Sequence, residues 1–285
     1  MIPAAFDYER ADSVDHAIEL LSQHGEDAKL IAGGHSLLPL MKLRLARPSV
    51  LVDVDRLSDL EYVREDGAAI KIGALTRIGA MVNDAVLAQH CPILAYSAGL
   101  VGDPQVRHRA TIGGAIAHAD PASDPPTLLL ALDGEVVARG PAGERRIAAS
   151  DLFTGLFETT LHPDEVMTAL RVPKLPPGTG WSYQKFHRRA IDWALVGVAA
   201  VVERRNGGMG RTRIALTNMG LTPLRASGVE AALAGGDGSA DAIRSASERA
   251  PEGTSPPDDT NGSSDYRREL SKVLVRRALE EALAR

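Results

Sequence analysis

Two glycine pairs mark places in the 285-residue chain where the backbone itself could bind a ligand. The first, Ala32-Gly33-Gly34-His35-Ser36, follows the short apolar run Lys29-Leu30-Ile31 and precedes a helical pattern from Leu37 to about Leu45. Consecutive glycines let a backbone approach a ligand closely and adopt φ values that other residues avoid. A helix after them points unpaired N–H groups and the positive end of its dipole back at the loop. Ser36 adds a hydroxyl, and the whole suits an anion such as a pyrophosphate. The second pair, Thr111-Ile112-Gly113-Gly114-Ala115, repeats this chemistry: a hydroxyl residue, then small residues expected to keep free backbone amides. Each pair taken alone also fits a tight turn that binds nothing.

Other chemistry is hard to find in the sequence. It has no G-x-G-x-x-G between a strand and a helix and no Walker A motif, so neither a Rossmann nor a P-loop site is expected. No catalytic triad or acid–base carboxylate pair stands at a credible spacing. His35, His108 and His118 lie near the loops, but none has a second ligand at helical spacing, so they read as solvated or hydrogen-bonded side chains. Arg107-His108-Arg109 reads as a solvated charge cluster, with cofactor tuning or partner docking as the other reading. Cys91 is the single cysteine, expected to be a small buried hydrophobe. One cysteine excludes an internal disulfide and a usual iron–sulfur cluster, which takes about four. Redox or group chemistry would then have to come from a bound cofactor.

The elements that must hold these loops follow from periodicity. Ser13 caps a helix with Val14, Ala17, Ile18 and Leu21 on one face and Gly25 at its end. With strands at Lys29–Ile31 and Val50–Val54, the first ~55 residues form a β-α-β-like unit. Asp66-Gly67 predicts a hairpin between Tyr62 and Gly73; Thr76 is expected to cap a helix reaching Leu87, and Pro92 to open another through Leu100. Asp124-Pro125 reads as an N-cap with proline at N1, ahead of strands at Glu135–Arg139 and Val166–Val172. The run 173–178, PKLPPG, is the best boundary signal. Beyond it, Trp181–Phe186, Trp193–Glu203 and Arg211–Thr217 predict three antiparallel strands, with Asn206-Gly207 as a hairpin turn. Helices are expected at Ala226–Leu233, Ala240–Arg249 and Tyr266–Ala284, and a mobile loop at Pro251–Ser264.

Composition narrows the function classes. Net charge is −5 with 24 % charged and 44 % apolar residues, which does not favour a nucleic-acid partner. The N-terminal residues have no apolar signal-peptide core, and the longest apolar run, Trp193–Val202, is well short of the ~20 residues of a membrane helix. No transmembrane segment is expected, and a cytoplasmic location is.

Two longer stretches make the reading specific. Residues 32–53, AGGHSLLPLMKLRLARPSVLVD, resemble the first flavin loop of the medium subunits of carbon monoxide dehydrogenase and related molybdenum hydroxylases. Residues 103–124, DPQVRHRATIGGAIAHADPASD, resemble their second flavin loop. MIPAAFDY at the start and IDWALVGVAAVV later extend the similarity over nearly the whole chain. The resemblance implies an α+β fold. It has a two-subdomain FAD-binding region of the vanillyl-alcohol oxidase/p-cresol methylhydroxylase type (residues 1–176, divided near 55) and a C-terminal domain, 177–285, with a three-stranded antiparallel sheet and helices.

It also implies FAD, cradled by the backbone of Ala32, Gly33, Gly34, His35 and Ser36 and of Thr111, Ile112, Gly113, Gly114 and Ala115. Asp124 would accept from a sugar or ribityl hydroxyl, Lys185 would lie near the flavin, and Trp193 would stack beside the isoalloxazine. Many relatives carry Asn at the position of Ala115, so one side-chain contact is missing here and a backbone N–H is expected to serve. The implied setting is a dimer of heterotrimers. A large subunit carries the molybdenum cofactor, a small one carries [2Fe-2S] clusters, and this chain passes electrons from those clusters to an acceptor such as a quinone, at the inner face of the membrane. Carbon monoxide is the expected substrate, with aldehydes or N-heterocycles as alternatives. The other readings are a self-sufficient FAD enzyme and a scaffold poor in cofactor.

Overall fold

The computed structural model describes residues 2–205 and 208–285, so the expected turn at Asn206-Gly207 lies outside the described residues. The first unit runs β1 (Asp7–Arg10), α1 (Val14–His24), β2 (Ala28–Ile31), α2 (Leu37–Lys42) and β3 (Val50–Asp53). Its strands pair in parallel in the order β1-β3-β2. Ser13 Oγ accepts from His16 N at 3.1 Å to start α1, and Gly25 ends it at φ +58. Val14, Ala17, Ile18, Leu20 and Leu21 pack from α1 onto Val50, Val52 and Val54.

The second unit is a five-stranded antiparallel sheet interrupted by helices. β4 (Val63–Asp66) and β5 (Ala69–Gly73) form the hairpin expected at Asp66-Gly67. Six short helices follow: α3 (Ile78–Met81), α4 (Ala85–His90), α5 (Pro92–Ala98), α6 (Pro104–Arg109), α7 (Ile112–His118) and α8 (Asp124–Ala131). Then come β6 (Glu135–Gly140), β7 (Gly143–Ala148), α9 (Ala149–Leu152), the small hairpin β8 (Phe153–Gly155) and β9 (Glu158–Thr159), and β10 (Val166–Pro173). The sheet order is β4-β5-β10-β6-β7. Cys91 is fully buried in this core, and burial pushes its thiol up to about 12.

Two helix starts differ from expectation. Thr76 caps nothing: its buried hydroxyl donates to Tyr62 O at 2.9 Å and accepts from Tyr62 N at 3.1 Å, stitching the β4 entrance to the β5 exit. The helical pattern that followed it is two helices, the second capped by Asp84, which accepts from Leu87 N at 2.9 Å. Asp124 is not an N-cap either. It is the first residue of α8, and its carboxylate turns away to bond Tyr183 and Lys185.

The last unit is an antiparallel sheet of β11 (Gly180–Phe186), β12 (Val196–Arg205) and β13 (Gly208–Thr217), with the two-residue β14 (Leu224–Arg225) added at one edge. Trp193 precedes β12 rather than opening it. α10 (Ser227–Leu233), α11 (Ala240–Ser247) and α12 (Ser264–Ala284) cover one face. Val196, Val198, Ala200 and Val202 meet those helices, while Ala199 and Val201 join the core of the second unit. Burial on both faces is why β12 reads as an unbroken apolar run. The loop between α11 and α12 is tied down: the buried Arg267 guanidinium bonds both Asp259 carboxylate oxygens at 2.9 Å and donates to Leu195 O at 2.6 Å.

Candidate functional site

β2 ends at Ile31 and β5 ends at Gly73, and the chain leaves each of them toward one cavity of about 600 Å³. Ala32, Gly33, Gly34, His35 and Ser36 line it from one side; Thr111, Gly113, Gly114 and Ala115 line it from the other. Ile112 is buried beneath the second loop, in the core. The volume lies in the usual range for cofactor pockets, roughly 300–1,000 Å³. Leu30, Leu40, Leu60 and Leu161 give apolar wall, and Lys29, His118, His162 and Glu165 give polar wall.

The two loops are built differently. Among the described residues, the backbone amides of Gly33, Gly34, His35 and Ser36 have no hydrogen-bond partner. Gly34 sits at φ +74, so the turn leaves these N–H groups on successive residues. Such a nest of amides binds anionic oxygen. The second loop was expected to keep free amides as well, and it does not. Ile112 N donates to Thr76 O, Gly113 N to Ala74 O, Gly114 N to Thr111 Oγ1 and Ala115 N to Thr111 O, at 2.8 to 3.2 Å. Thr111 is the N-cap of α7, and the glycine pair forms the first turn of that helix. The Ala115 N–H expected to serve a ligand is therefore already engaged.

The glycines of the pairs also have packing roles. A Cβ on Gly113 would stand 2.6 Å from Ala74 Cβ, so only glycine lets α7 sit against the end of β5. A Cβ on Gly33 would overlap the carbonyl of Arg109, two residues before Thr111. The two loops thus touch backbone to backbone.

The small hairpin β8–β9 contributes a wall that sequence reasoning missed: Thr154, Phe157, Glu158 and Thr159. Phe157 adopts φ +58, rare for a bulky residue, and its half-exposed ring lies 5.0 Å from the His118 ring. A Phe between a Gly-Leu turn and a β-prone Glu-Thr-Thr was the available signal. Burial pulls the His118 pKa below its ordinary value, which keeps it neutral at the cavity wall. Glu165 is held by Arg145 in a two-pronged pair at 2.6 and 2.8 Å.

Asp124, Lys185 and Trp193 do not line this cavity. Lys185 Nζ bonds Asp124 Oδ2 at 2.8 Å and Leu100 O at 2.9 Å, and Tyr183 donates to Asp124 Oδ1 at 2.6 Å. Burial lifts the Asp124 pKa, and the Lys185 ammonium works against that lift. Burial and the Asp124 charge push the Tyr183 hydroxyl far up, so it remains a donor. Trp193 is 60 % exposed. The backbone next to it is tied to the loop after α7: Pro121 O accepts from Asn218 N, and the Asn218 side chain donates to Ala194 O. Arg107-His108-Arg109 is solvated at His108 and Arg109, while its two arginines are also bonded. Arg107 donates to Val101 O and Gly102 O, and Arg109 pairs with Asp55.

Residues 4–175 match the family described as the FAD binding domain in molybdopterin dehydrogenase, and residues 181–282 match the carbon monoxide dehydrogenase flavoprotein C-terminal domain. The chain belongs to this family of FAD-binding medium subunits. It is 42 % identical to the carbon monoxide dehydrogenase medium chain of Hydrogenophaga pseudoflava, across 100 % of this chain and 99 % of that one. It is 40 % identical to the 6-hydroxypseudooxynicotine dehydrogenase complex subunit alpha of Paenarthrobacter nicotinovorans, over 100 % and 97 % of the two. A solved carbon monoxide dehydrogenase from Hydrogenophaga pseudoflava superposes with a TM-score of 0.98 at 44 % identity, covering 100 % of this chain and 99 % of that chain. The chain is thus a flavoprotein subunit of a multi-subunit oxidoreductase, with FAD as its cofactor and an α+β fold of FAD-binding and C-terminal domains. Among the described residues no helix is long and apolar enough to cross a membrane.

Proposed function

We propose that the chain is the electron-output subunit of an aerobic carbon monoxide dehydrogenase, with FAD held in the cavity between the two glycine loops. The run of unpartnered amides at Gly33–Ser36 carries this reading, because it faces a cavity of cofactor size and offers its donors to an anionic oxygen there. Bound FAD would accept electrons singly or in pairs and so connect one-electron carriers to a two-electron acceptor. The chain's own part is binding and orientation. Ala32 and residues 33–36 would grip the pyrophosphate by backbone. Thr111, Ile112, Gly113, Gly114 and Ala115 would supply a close-packed floor rather than donors. Asp124, Lys185 and Trp193 would serve the flavin end, a role that rests on the family resemblance alone, since all three stand outside the cavity lining.

The division into residues 1–176, with subdomains meeting near 55, and 177–285 is supported by the two family matches and the strand groupings. The proposed partners are a large molybdenum-cofactor subunit and a small subunit with two [2Fe-2S] clusters, in a dimer of heterotrimers that works on the inner face of the membrane. The experiment is anaerobic addition of carbon monoxide to the purified complex, followed by flavin absorbance. Bleaching of the flavin supports the assignment, and a flavin that stays oxidised overturns it. The similarity to the 6-hydroxypseudooxynicotine dehydrogenase complex subunit alpha and to the nicotine 6-hydroxylase medium subunit of Paenarthrobacter nicotinovorans favours a second reading, an N-heterocycle hydroxylase. Bleaching by N-heterocycles and not by carbon monoxide would select it.

A further inference from the structure

Asp55 lies just beyond β3, where its N–H donates to Asp53 Oδ1 at 2.8 Å and the neighbouring Val54 N donates to Ile31 O at the end of β2. It therefore belongs to the same rigid corner as the first glycine loop. Its carboxylate reaches across to the second unit and takes two guanidinium groups: Arg77 Nη2 at 2.5 Å and Arg109 Nη2 at 3.2 Å. Arg77 then uses Nη1 to hold the Arg109 carbonyl at 2.6 Å. That is the carbonyl against which Gly33 packs too closely for any Cβ. The backbone on either side of Arg77 is also bridged to the second loop, through Ile78 N to Ala110 O and Ile112 N to Thr76 O. Asp55 and Arg77 are each under one-fifth exposed.

We infer that Asp55 is a positioning residue for the cofactor: through Arg77 and Arg109 it fixes the backbone contact between Gly33 and Arg109, and with it the gap between the two glycine loops. The inference rests on the FAD reading for its consequence, because none of the three side chains lines the cavity. The carboxylate also neutralises two cations brought to one spot. Asp55→Asn keeps the shape and removes the charge, so the guanidinium groups repel and the Arg109 carbonyl loses its fixed place. A small displacement there separates the jaws that FAD must span.

The test uses the full chain stripped of flavin and titrated with FAD. Asp55→Asn should weaken Kd by about tenfold or more, the scale of a lost hydrogen bond to a charged group. Arg109→Gln, which spares the Asp55–Arg77 pair, should weaken it less. Gly33→Ala breaks the same contact directly, so adding Asp55→Asn to it should weaken binding little further, whereas a general loss of stability would make the two effects multiply. Amide exchange supplies a readout that needs no FAD. In Asp55→Asn the amides of Ile112 and Gly113 should exchange faster while those of β10 hold their wild-type rate. Wild-type affinity in Asp55→Asn, or multiplying losses with Gly33→Ala, would overturn the inference. If the wild-type chain takes up no FAD, the cofactor reading falls by itself. The exchange result then decides the clamp alone, acceleration confined to the loop upholding it and unchanged exchange removing it.

Discussion

Asp124 and Lys185 meet at 2.8 Å with side chains 4 % and 3 % exposed, joining the first turn of α8 to the C-terminal end of β11. Removing one partner strands the other charge in the core. Asp124→Ala should therefore cost about 3–5 kcal/mol in urea unfolding, and Lys185→Met a similar amount. Replacing both by apolar residues of similar size, Asp124→Leu with Lys185→Met, should recover most of the loss. FAD uptake by that double variant separates the proposed flavin role from the structural one: retained stability with lost uptake assigns the pair to the cofactor.

Gly34 adopts φ +74 and faces Leu38 Cδ1 3.0 Å from where a Cβ would stand. Gly34→Ala should lose at least about 1 kcal/mol of stability from backbone strain and most of its bound flavin. Gly67, at φ +61 with open space around it, provides the control. Gly67→Ala should show the strain without loss of FAD, read as flavin per chain after gel filtration.

Acid should loosen the cavity wall through Glu165. Burial alone would raise its pKa, but Arg145 and the His162 N–H outweigh it and hold the carboxyl below its ordinary 4.5. A depressed carboxylate contributes its full stability above the unfolded value and loses it as pH falls through the lower folded value. Thermal unfolding should accordingly fall off on acidification below 4.5, and Glu165→Gln should flatten that part of the profile while lowering Tm at neutral pH. An unchanged slope in the variant would remove Glu165 from the account.

Trp193 offers the cleanest separation of stability from function. Its 60 % exposure means Trp193→Ala should change unfolding free energy by no more than about 0.5 kcal/mol. If its ring stacks on the isoalloxazine, the same substitution should raise flavin fluorescence several-fold by removing a quencher. Fluorescence at the wild-type level would leave Trp193 as surface only.

Long apolar patterns were the legible part of this chain. α1, the β4–β5 hairpin and the three main strands of the C-terminal sheet stand near where apolar pattern and turn residues put them, with β12 opening three residues after Trp193. β1 and β7 were not legible, because DYER and GERRIA are charged edge sequences that pair only once a neighbour offers its backbone. α6 and α7 were missed because each is a single short stretch, one opening on proline and the other on a glycine pair. The loops themselves were found by residue type, yet the use of the second pair's amides was not. Ala74 and Thr76 accept two of them from more than thirty positions away, and no local pattern announces that. Asp124–Lys185, separated by 61 positions, and the Asp55 clamp are invisible for the same reason.

The difference between the two glycine loops has a further consequence for how the cofactor is loaded. The amides of residues 112–115 are already engaged inside the protein, so that backbone is set before any flavin arrives. The loop at 33–36 has four donors that only water or a ligand can meet. Loading should then leave the second loop unchanged and fall on four residues, whose amides exchange water for cofactor oxygen on a backbone already packed in place.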